Sequence, residues 1–219
     1  MPVEKSSSLI GKTMFRINAR QKRLSIFFHF IVVFGLLGFL VLILPKAGFP
    51  LDKFAIDPDR SYIVFRVKYL GITFVDGKFT HAMGRYISPN DESGKVEIDV
   101  RVRVMDIDTG NVARDERFQS PDFFHAEKYP WITFKSVSIV PLDAVSFRVA
   151  GDLSFHGVTR SIEMEAFKTG AGSDEQGQTR AGFQSTFTIR RSEYGMKKLM
   201  GGFGDQVELT VCVEGVRNS

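Results

Sequence analysis

Few side chains in this sequence have the types and spacing that catalysis requires. Arg114 and Asp115 are adjacent and Ser120 follows five residues later, so an acid and a hydroxyl nucleophile lie close together along the chain. A structural interpretation is favoured, in which the charged pair anchors a helical segment and the serine caps free backbone amides at a helix start. The sequence contains no phosphate-binding glycine loop, no dinucleotide fingerprint and no nucleophile elbow. We therefore expect no enzymatic activity and no catalytic residue.

Residues that bind metals or form disulfides are equally sparse. His81, His125 and His156 lack the close helical spacing of a metalloprotease site, although a site assembled by the fold from these histidines is left open. Cys212 is the single cysteine, which excludes an intramolecular disulfide and a cysteine-rich metal site. We expect the Cys212 thiol to be half-buried. An intermolecular disulfide, which would give a homodimer, is left open. The sequence predicts no metal and no covalent cofactor.

The positive charge of the chain is concentrated at its amino terminus. The 219 residues include 29 Lys and Arg against 25 Asp and Glu, a net charge of +4 that by itself would suggest a nucleic-acid partner. Residues 1–45 contain six of the cations and one anion, so the remainder has 29 − 6 = 23 cations and 25 − 1 = 24 anions. Because the body of the protein is close to neutral, we expect no nucleic-acid partner.

An uncharged apolar stretch follows the basic segment at residues 26–44. As a helix it would span roughly 28 Å, close to the thickness of a hydrocarbon core. The stretch is longer than the apolar part of a cleaved signal peptide, which is the weaker alternative. We therefore predict a basic cytoplasmic tail at 1–25, an uncleaved transmembrane anchor at 26–44 and a linker at 45–59. The flanking positive charge predicts a single-pass protein with its C-terminal domain exported.

The exported part alternates between apolar and polar residues, as β-strands do. In residues 95–104 every even-numbered residue is apolar and β-branched and every odd-numbered one is charged, which is typical of a strand with one buried face. Seven further segments alternate in the same way: residues 61–70, 73–87, 131–140, 145–155, 161–167, 179–190 and 207–214. The sequence therefore predicts eight strands, with a bend or bulge in the second where glycines occur.

Helical signals in the exported part occur between the third and fourth strands. Ser120 followed by Pro121 favours a helix start, so we expect a short helix over residues 121–127, and residues 111–119 are a further candidate. One-sided strands without parallel crossovers favour a closed barrel over an open sheet. The predicted fold is therefore all-β: an eight-stranded antiparallel barrel over residues 60–216 with short helices between strands 3 and 4, preceded by one transmembrane helix.

A barrel of this size is either packed solid or holds one small elongated ligand, and the alternation leaves both open. Phenylalanines on inward-facing positions, interrupted by Gly77, Gly151 and Gly182, favour a hollow interior. Some inward-facing residues are expected to be plain core instead. The residues predicted to line the interior and contact a ligand are Ile63, Phe65, Val67, Phe79, Val100, Phe134, Phe147, Leu153, Phe183 and Phe187.

The order of short motifs along the exported part resembles the YceI-like family, over about residues 54–216. The motifs are Ile56-Asp57-Pro58 to Ser61-Tyr62-Ile63-Val64-Phe65, Gly77-Lys78-Phe79, Asp108-Thr109, Arg114-Asp115, Ser120-Pro121-Asp122-Phe123-Phe124, Tyr129-Pro130-Trp131-Ile132-Thr133-Phe134-Lys135-Ser136, Gly151-Asp152-Leu153-Ser154-Phe155-His156-Gly157-Val158-Thr159-Arg160 and Ala181-Gly182-Phe183. The resemblance implies a lipocalin-like barrel, a bacterial envelope location, and a polyisoprenoid or isoprenoid-quinone chain held in the barrel. Members commonly carry a cleaved signal, and the long apolar span at 26–44 departs from that habit.

A hydrocarbon chain is a ligand class that burial energetics also support. Each five-carbon isoprene unit would contribute roughly 3–4 kcal/mol on burial, at about 0.8 kcal/mol per methylene. Association costs on the order of 4–15 kcal/mol, so several units are needed for firm binding. We expect a carrier tethered to the bacterial inner membrane, with its amino terminus cytoplasmic and its barrel periplasmic, whose partners are an isoprenoid lipid and that membrane. The alternatives are an envelope interaction or stress-response protein with a filled barrel and, less favoured, an enzyme acting on a prenylated substrate.

Overall fold

The computed structural model describes residues 53–87 and 96–218. The predicted cytoplasmic tail, the predicted transmembrane helix at 26–44 and the first part of the predicted linker lie outside these residues. Within the two described ranges, every helix is too short or too polar to cross a lipid bilayer.

The described residues form one antiparallel sheet of eleven strands that closes on itself. The strands are β1 (Lys53–Ile56), β2 (Tyr62–Tyr69), β3 (Thr73–Phe79), β4 (Met83–Ile87), β5 (Ile98–Arg103), β6 (Ile107–Asp108), β7 (Trp131–Pro141), β8 (Ser146–Phe155), β9 (Val158–Ser173), β10 (Thr179–Arg190) and β11 (Phe203–Arg217). One α-helix, α1 (Val112–Gln119), follows β6, and short 3₁₀ turns occupy Val104–Asp106 and Arg191–Tyr194. Closure results from β11, which pairs with β10 along one edge and with both β1 and β2 along the other.

Three of the barrel strands are each interrupted once, so the eleven short strands correspond to eight barrel strands. Strands β1 and β2 pair with successive parts of β11, while β4 and β3 pair in turn with β1 and β2. Strand β5 pairs with β4, and β6 pairs with β3. When β1–β2, β3–β4 and β5–β6 are each counted as one broken strand, the barrel has eight antiparallel strands, as the sequence predicts.

The interruptions and ends of the strands differ from the predicted ones. The second predicted strand, residues 73–87, breaks after Phe79, and His81 lies in the break with a φ of +57°. Strand β1 lies within the segment predicted to be linker, and its two buried residues, Phe54 and Ile56, are too few to show alternation. Strand β10 covers the predicted residues 179–190, whereas β9 and β11 extend several residues beyond theirs.

Of the two helical segments predicted between the third and fourth strands, the candidate at residues 111–119 is confirmed and the one at residues 121–127 is not. Helix α1 is capped by Asn111, whose side chain accepts a hydrogen bond from the Arg114 amide, and it ends at Ser120. Residues 121–127 form turns, so the prediction of a helix there was wrong. Ser120 precedes a proline, which disfavours helical backbone, and its extended conformation ends a helix instead of starting one. Its hydroxyl donates to the Arg117 carbonyl at 2.7 Å.

Candidate functional site

The barrel encloses an apolar cavity of about 160 Å³. In the same measure a single water needs on the order of 10–15 Å³, so this is far more than a packing defect. The inward-facing residues of β11, including Val207, Leu209 and Val211, are only half-buried although they point away from solvent. The interior is therefore hollow, and the filled barrel that the sequence left open is not what the fold adopts.

Nine of the ten residues predicted to line the interior do line this cavity, and the tenth does not. Phe147 is inward-facing and buried, but it packs against the ring of Phe183 at 6.2 Å and lies outside the cavity wall. That these side chains contact a ligand stays a prediction. The nine are Ile63, Phe65, Val67, Phe79, Val100, Phe134, Leu153, Phe183 and Phe187.

One end of the barrel is closed by stacked rings, and we call this end the sealed base. The rings of Phe54 and Tyr86 stack at 4.8 Å, and Phe183 meets Tyr86 edge-on at 5.1 Å. The Tyr86 hydroxyl donates to the Ala181 carbonyl at 2.7 Å, and burial raises its pKa, so it remains a donor. A Cβ at Gly215 would come within 2.5 Å of the Tyr86 ring, so only glycine allows this close approach.

The opposite end is covered by phenylalanines that sequence reasoning missed. Phe118 belongs to α1, and Phe123 and Phe124 belong to the turns after it. All three line the cavity, and their rings contact those of Phe79, Phe155 and Phe203 at 5.3–5.8 Å. The adjacent pair Phe123-Phe124 was part of a recognised motif, but it was assigned to a predicted helix, and nothing in the sequence indicated that its side chains face the barrel interior.

The glycines expected to leave room along the bore have a different role. A Cβ at Gly77 would overlap the ring of Phe65, and one at Gly151 would meet the ring of Phe134 at 2.5 Å. A Cβ at Gly182 would meet the hydroxyl of Thr169, also at 2.5 Å. These glycines therefore accommodate the protein's own side chains and do not create space for a ligand.

The wall of the barrel is incomplete between β9 and β10. The two strands pair from Thr179 opposite Ser173 to Ser185 opposite Ala166, and the pairing ends there. Residues 158–165 of β9 continue to pair with β8, and residues 186–190 of β10 continue to pair with β11. The facing edges of these two segments are therefore left without strand partners. We call this opening the β9–β10 gap.

Comparison with known proteins agrees with this architecture. The YceI-like domain family matches residues 54–215. The chain belongs to the YceI-like family. A UPF0312 protein of Pectobacterium carotovorum is 31% identical over 165 residues, which are 75% of this chain and 85% of the relative.

Two solved structures share the YceI-like fold. The crystal structure of the YceI protein of Campylobacter jejuni has a TM-score of 0.60 and 26% identity, and the match covers 69% of this chain and 90% of that one. A structure from Saccharophagus degradans, described as a polyisoprenoid-binding domain implicated in plant cell wall breakdown, has a TM-score of 0.60 at 16% identity. That match covers 77% of this chain and 99% of the other, and it shows the likeness of fold.

The residues of this YceI-like barrel that suggested catalysis are engaged in local structure. The Asp115 carboxylate accepts hydrogen bonds from the Thr109 amide at 2.9 Å and hydroxyl at 2.6 Å. The Arg114 guanidinium donates to the Thr109 hydroxyl at 2.9 Å and carbonyl at 2.7 Å. Together the pair anchors the start of α1 to the end of β6, which agrees with the structural interpretation.

The histidines and the cysteine of the YceI-like barrel occupy separate positions. His81, His125 and His156 all have φ values between +51° and +57°, so they hold left-handed turn positions. In the part of the chain that the structure describes, no three His, Cys, Asp or Glu side chains are close enough to share a metal ion. Cys212 is half-buried opposite Tyr62 on the neighbouring strand. A homodimer stays a prediction.

Proposed function

We propose that the protein binds the hydrocarbon chain of a polyisoprenoid or an isoprenoid quinone in its cavity, without covalent chemistry. The observation that carries this proposal is a hollow bore whose walls are almost entirely aliphatic and aromatic. Phenylalanine, valine, leucine and isoleucine side chains form no hydrogen bonds with a ligand, so they favour an apolar ligand whose shape fits the cavity. The description of the Saccharophagus relative as a polyisoprenoid-binding domain supports the same class of chain.

Chain length is the property that this cavity would select. At roughly 3–4 kcal/mol gross per isoprene unit, the first few units only offset the order of 4–15 kcal/mol that association costs. Short apolar molecules are therefore expected to bind weakly, and chains of several units firmly.

Part of the proposal is that the barrel holds its lipid beside a membrane. The predicted anchor at 26–44 would tether it to the bacterial inner membrane, with the amino terminus in the cytoplasm and the barrel in the periplasm. The hairpin between β2 and β3 adds support, because Leu70 and Ile72 are 55% and 85% exposed at its tip and Phe74 follows. Apolar tips next to cationic side chains such as Lys68 suit contact with a lipid surface.

The experiment that tests the cavity is the replacement of a lining residue by a charged one. The full chain, purified in mild detergent, is extracted with organic solvent, and prenyl lipids are measured by mass spectrometry. In Phe183→Glu the cavity wall acquires a carboxylate that a hydrocarbon would have to desolvate, so we expect retention to be lost. Phe167→Glu is the matched control, because Phe167 lies on the outer wall and is 45% exposed.

The comparison requires that the variants be folded, which circular dichroism establishes. If Phe183→Glu does not fold, Leu209→Gln introduces a milder polar group at another half-buried lining position. Unchanged lipid retention in a folded cavity variant would contradict the proposal. So would an extract of the wild type that contains no prenyl lipid after exposure to isoprenoid-containing membranes.

A further inference from the structure

Exposed apolar side chains cluster at the end of the barrel opposite the sealed base. Two connections meet there. One is the hairpin between β2 and β3, with Leu70 and Ile72 at its tip, and the other is the mouth loop, residues 195–202, which joins the last 3₁₀ turn to β11. Leu199 and Met200 of the mouth loop are 39% and 42% exposed. We call these four side chains the mouth face.

Hydrogen bonds and ring contacts hold the two connections together. The Leu70 amide donates to the Gly202 carbonyl at 2.6 Å, and the rings of the adjacent residues Tyr69 and Phe203 pack at 5.0 Å. The buried Arg191 guanidinium donates to four backbone carbonyls in and just after the mouth loop, at 2.7–2.9 Å. The fold therefore fixes the backbone of the mouth loop and presents its apolar side chains outward.

The two leucines of the mouth face hold a backbone conformation that leucine rarely adopts. Leu70 and Leu199 have φ values of +52° and +51°, in the left-handed region that glycine and asparagine occupy most readily. Because both side chains are exposed, packing in the core does not offset this strain. Stability alone would favour glycine or asparagine at both positions, so the leucines point to a contact outside the chain.

Lysines lie beside the mouth face. Lys68 precedes the hairpin tip on β2, and Lys197 and Lys198 precede the apolar pair of the mouth loop, and all three are exposed. Lys198 forms an ion pair with Asp122 at 3.3 Å, whereas Lys68 and Lys197 form no ion pair with a described residue. Apolar tips beside unpaired lysines match an anionic bilayer surface, which has lipid phosphates outside and acyl chains beneath them.

The mouth face borders the phenylalanines that cover the cavity. Phe203 directly follows the mouth loop and lines the cavity, and its ring contacts those of Phe118 and Phe123 at 5.6 and 5.8 Å. A bilayer at the mouth face would therefore lie against the covered end of the cavity. An apolar chain passing between the two would expose little surface to water.

We propose that the mouth face docks the barrel on an anionic bilayer surface, with its four apolar side chains among the acyl chains and the neighbouring lysines at the lipid phosphates. This inference rests on the part of the proposed function that places the barrel beside a membrane. It deepens that part by naming the surface that makes the contact and the charge of the lipid. The sealed base takes no part in the contact.

The test places a fluorescent probe at either end of the barrel. The probe is attached to Gly201→Cys in the mouth loop or to Gly172→Cys near the base, in a Cys212→Ser background, since a Cβ at either glycine meets no atom within 4 Å. The labelled full chain is reconstituted into phosphatidylglycerol-containing vesicles with brominated lipids, which quench a probe at acyl-chain depth. We expect strong quenching at Gly201 and little at Gly172. Equal quenching at the two positions, or none at Gly201, would overturn the inference.

The apolar contact is tested by Leu70→Asn/Leu199→Asn. Because asparagine accepts left-handed backbone, the melting temperature should be unchanged or higher. The docking equilibrium, obtained from quenching of the Gly201 probe, should fall at least about tenfold, since two apolar side chains are lost from the acyl region. Leu142→Asn/Val145→Asn is the matched control, because it removes two exposed apolar side chains from the β7–β8 hairpin and should leave docking unchanged. Undiminished docking of the mouth variant would contradict the proposal.

The charge of the lipid is tested by Lys68→Gln/Lys197→Gln. Each lysine near an anionic surface changes the docking equilibrium by roughly fivefold, so the pair should reduce docking on phosphatidylglycerol-containing vesicles by more than about tenfold. Lys53→Gln/Lys135→Gln removes two exposed lysines elsewhere on the barrel and should dock as the wild type does. If the wild type docks equally well on vesicles of phosphatidylcholine alone, the assignment to an anionic surface is overturned.

The mouth face and the cavity fail separately in these measurements. Phe183→Glu should dock normally although it is expected to lose prenyl lipid. If the wild type retains prenyl lipid but the Gly201 probe is not quenched, the cavity proposal stands and the docking inference is overturned. If the probe is quenched while extracts contain no prenyl lipid, docking is supported and the cavity proposal fails.

Discussion

The sealed base and the β9–β10 gap both contain a buried tyrosine near an arginine, but they differ in how those groups are satisfied. At the base, the Tyr86 hydroxyl is hydrogen-bonded to Ala181. Close to it, Arg180 forms ion pairs with Asp57, Asp174 and Glu214 at 2.7–2.9 Å. At the gap, the hydroxyl of Tyr194 is unpaired. The polar groups of the base are therefore paired, whereas the Tyr194 hydroxyl beside the gap has no partner among the described residues.

The largest difference is expected when the base loses its central ring. Tyr86→Ala removes a stacked, buried aromatic side chain, and we expect it to lower the free energy of unfolding by about 3–5 kcal/mol. Urea denaturation of the full chain, followed by circular dichroism, measures this change. Tyr62→Ala is the control, since Tyr62 is 42% exposed on the outer wall and its loss should change stability far less. A small effect of Tyr86→Ala would mean that the base is not the stable end.

The arginine of the base should make stability depend on acidity. Hydrogen bonds from Arg180 lower the pKa of Asp57 and of Asp174 below the ordinary 3.8. Because these pKa values are lowered in the folded state, the stabilisation is fully present above pH 3.8 and is lost as the pH falls through the folded-state pKa values. We therefore expect the stability difference between the wild type and Arg180→Gln to be constant near neutral pH and to shrink below pH 3.8.

Denaturation curves at a series of pH values between neutral and strongly acidic measure this dependence. Arg103→Gln is a suitable control, since it removes an exposed arginine from β5 and should give a difference from the wild type that does not vary with pH. An Arg180→Gln difference that stays the same at every pH would show that the ion pairs at the base do not stabilise the fold.

The alternation of apolar and polar residues predicted the barrel because each barrel strand has one apolar face. In β8, buried Phe147, Val149 and Leu153 alternate with exposed or half-buried residues, and the same period runs through β5 and β10. The alternation does not show where a barrel strand is interrupted. The left-handed backbone at His81 divides β3 from β4, and one histidine within an alternating segment does not by itself predict such a break.

The candidate site was predictable in part for the same reason. Inward-facing residues could be named from the period of two, which is why nine lining residues were placed in the cavity wall. Phe147 was misplaced because alternation gives the face of a strand and not the height along the barrel. The β9–β10 gap was not predictable, because Ile162 and Met164 alternate with Glu163 and Glu165 just as they would in a paired strand.

The smallest expected effect provides the most direct comparison between the sealed base and the β9–β10 gap, because it removes only one oxygen atom from each tyrosine. Tyr86→Phe loses a buried hydrogen bond and should lower the free energy of unfolding by about 0.5–1.5 kcal/mol. Tyr194→Phe removes a buried hydroxyl that has no partner in the described residues, so stability should be unchanged or slightly higher. Both variants are measured by urea denaturation of lipid-free protein. If Tyr194→Phe were as destabilising as Tyr86→Phe, the hydroxyl would already be satisfied within the folded protein, and the gap would lose the donor that distinguishes it from the base.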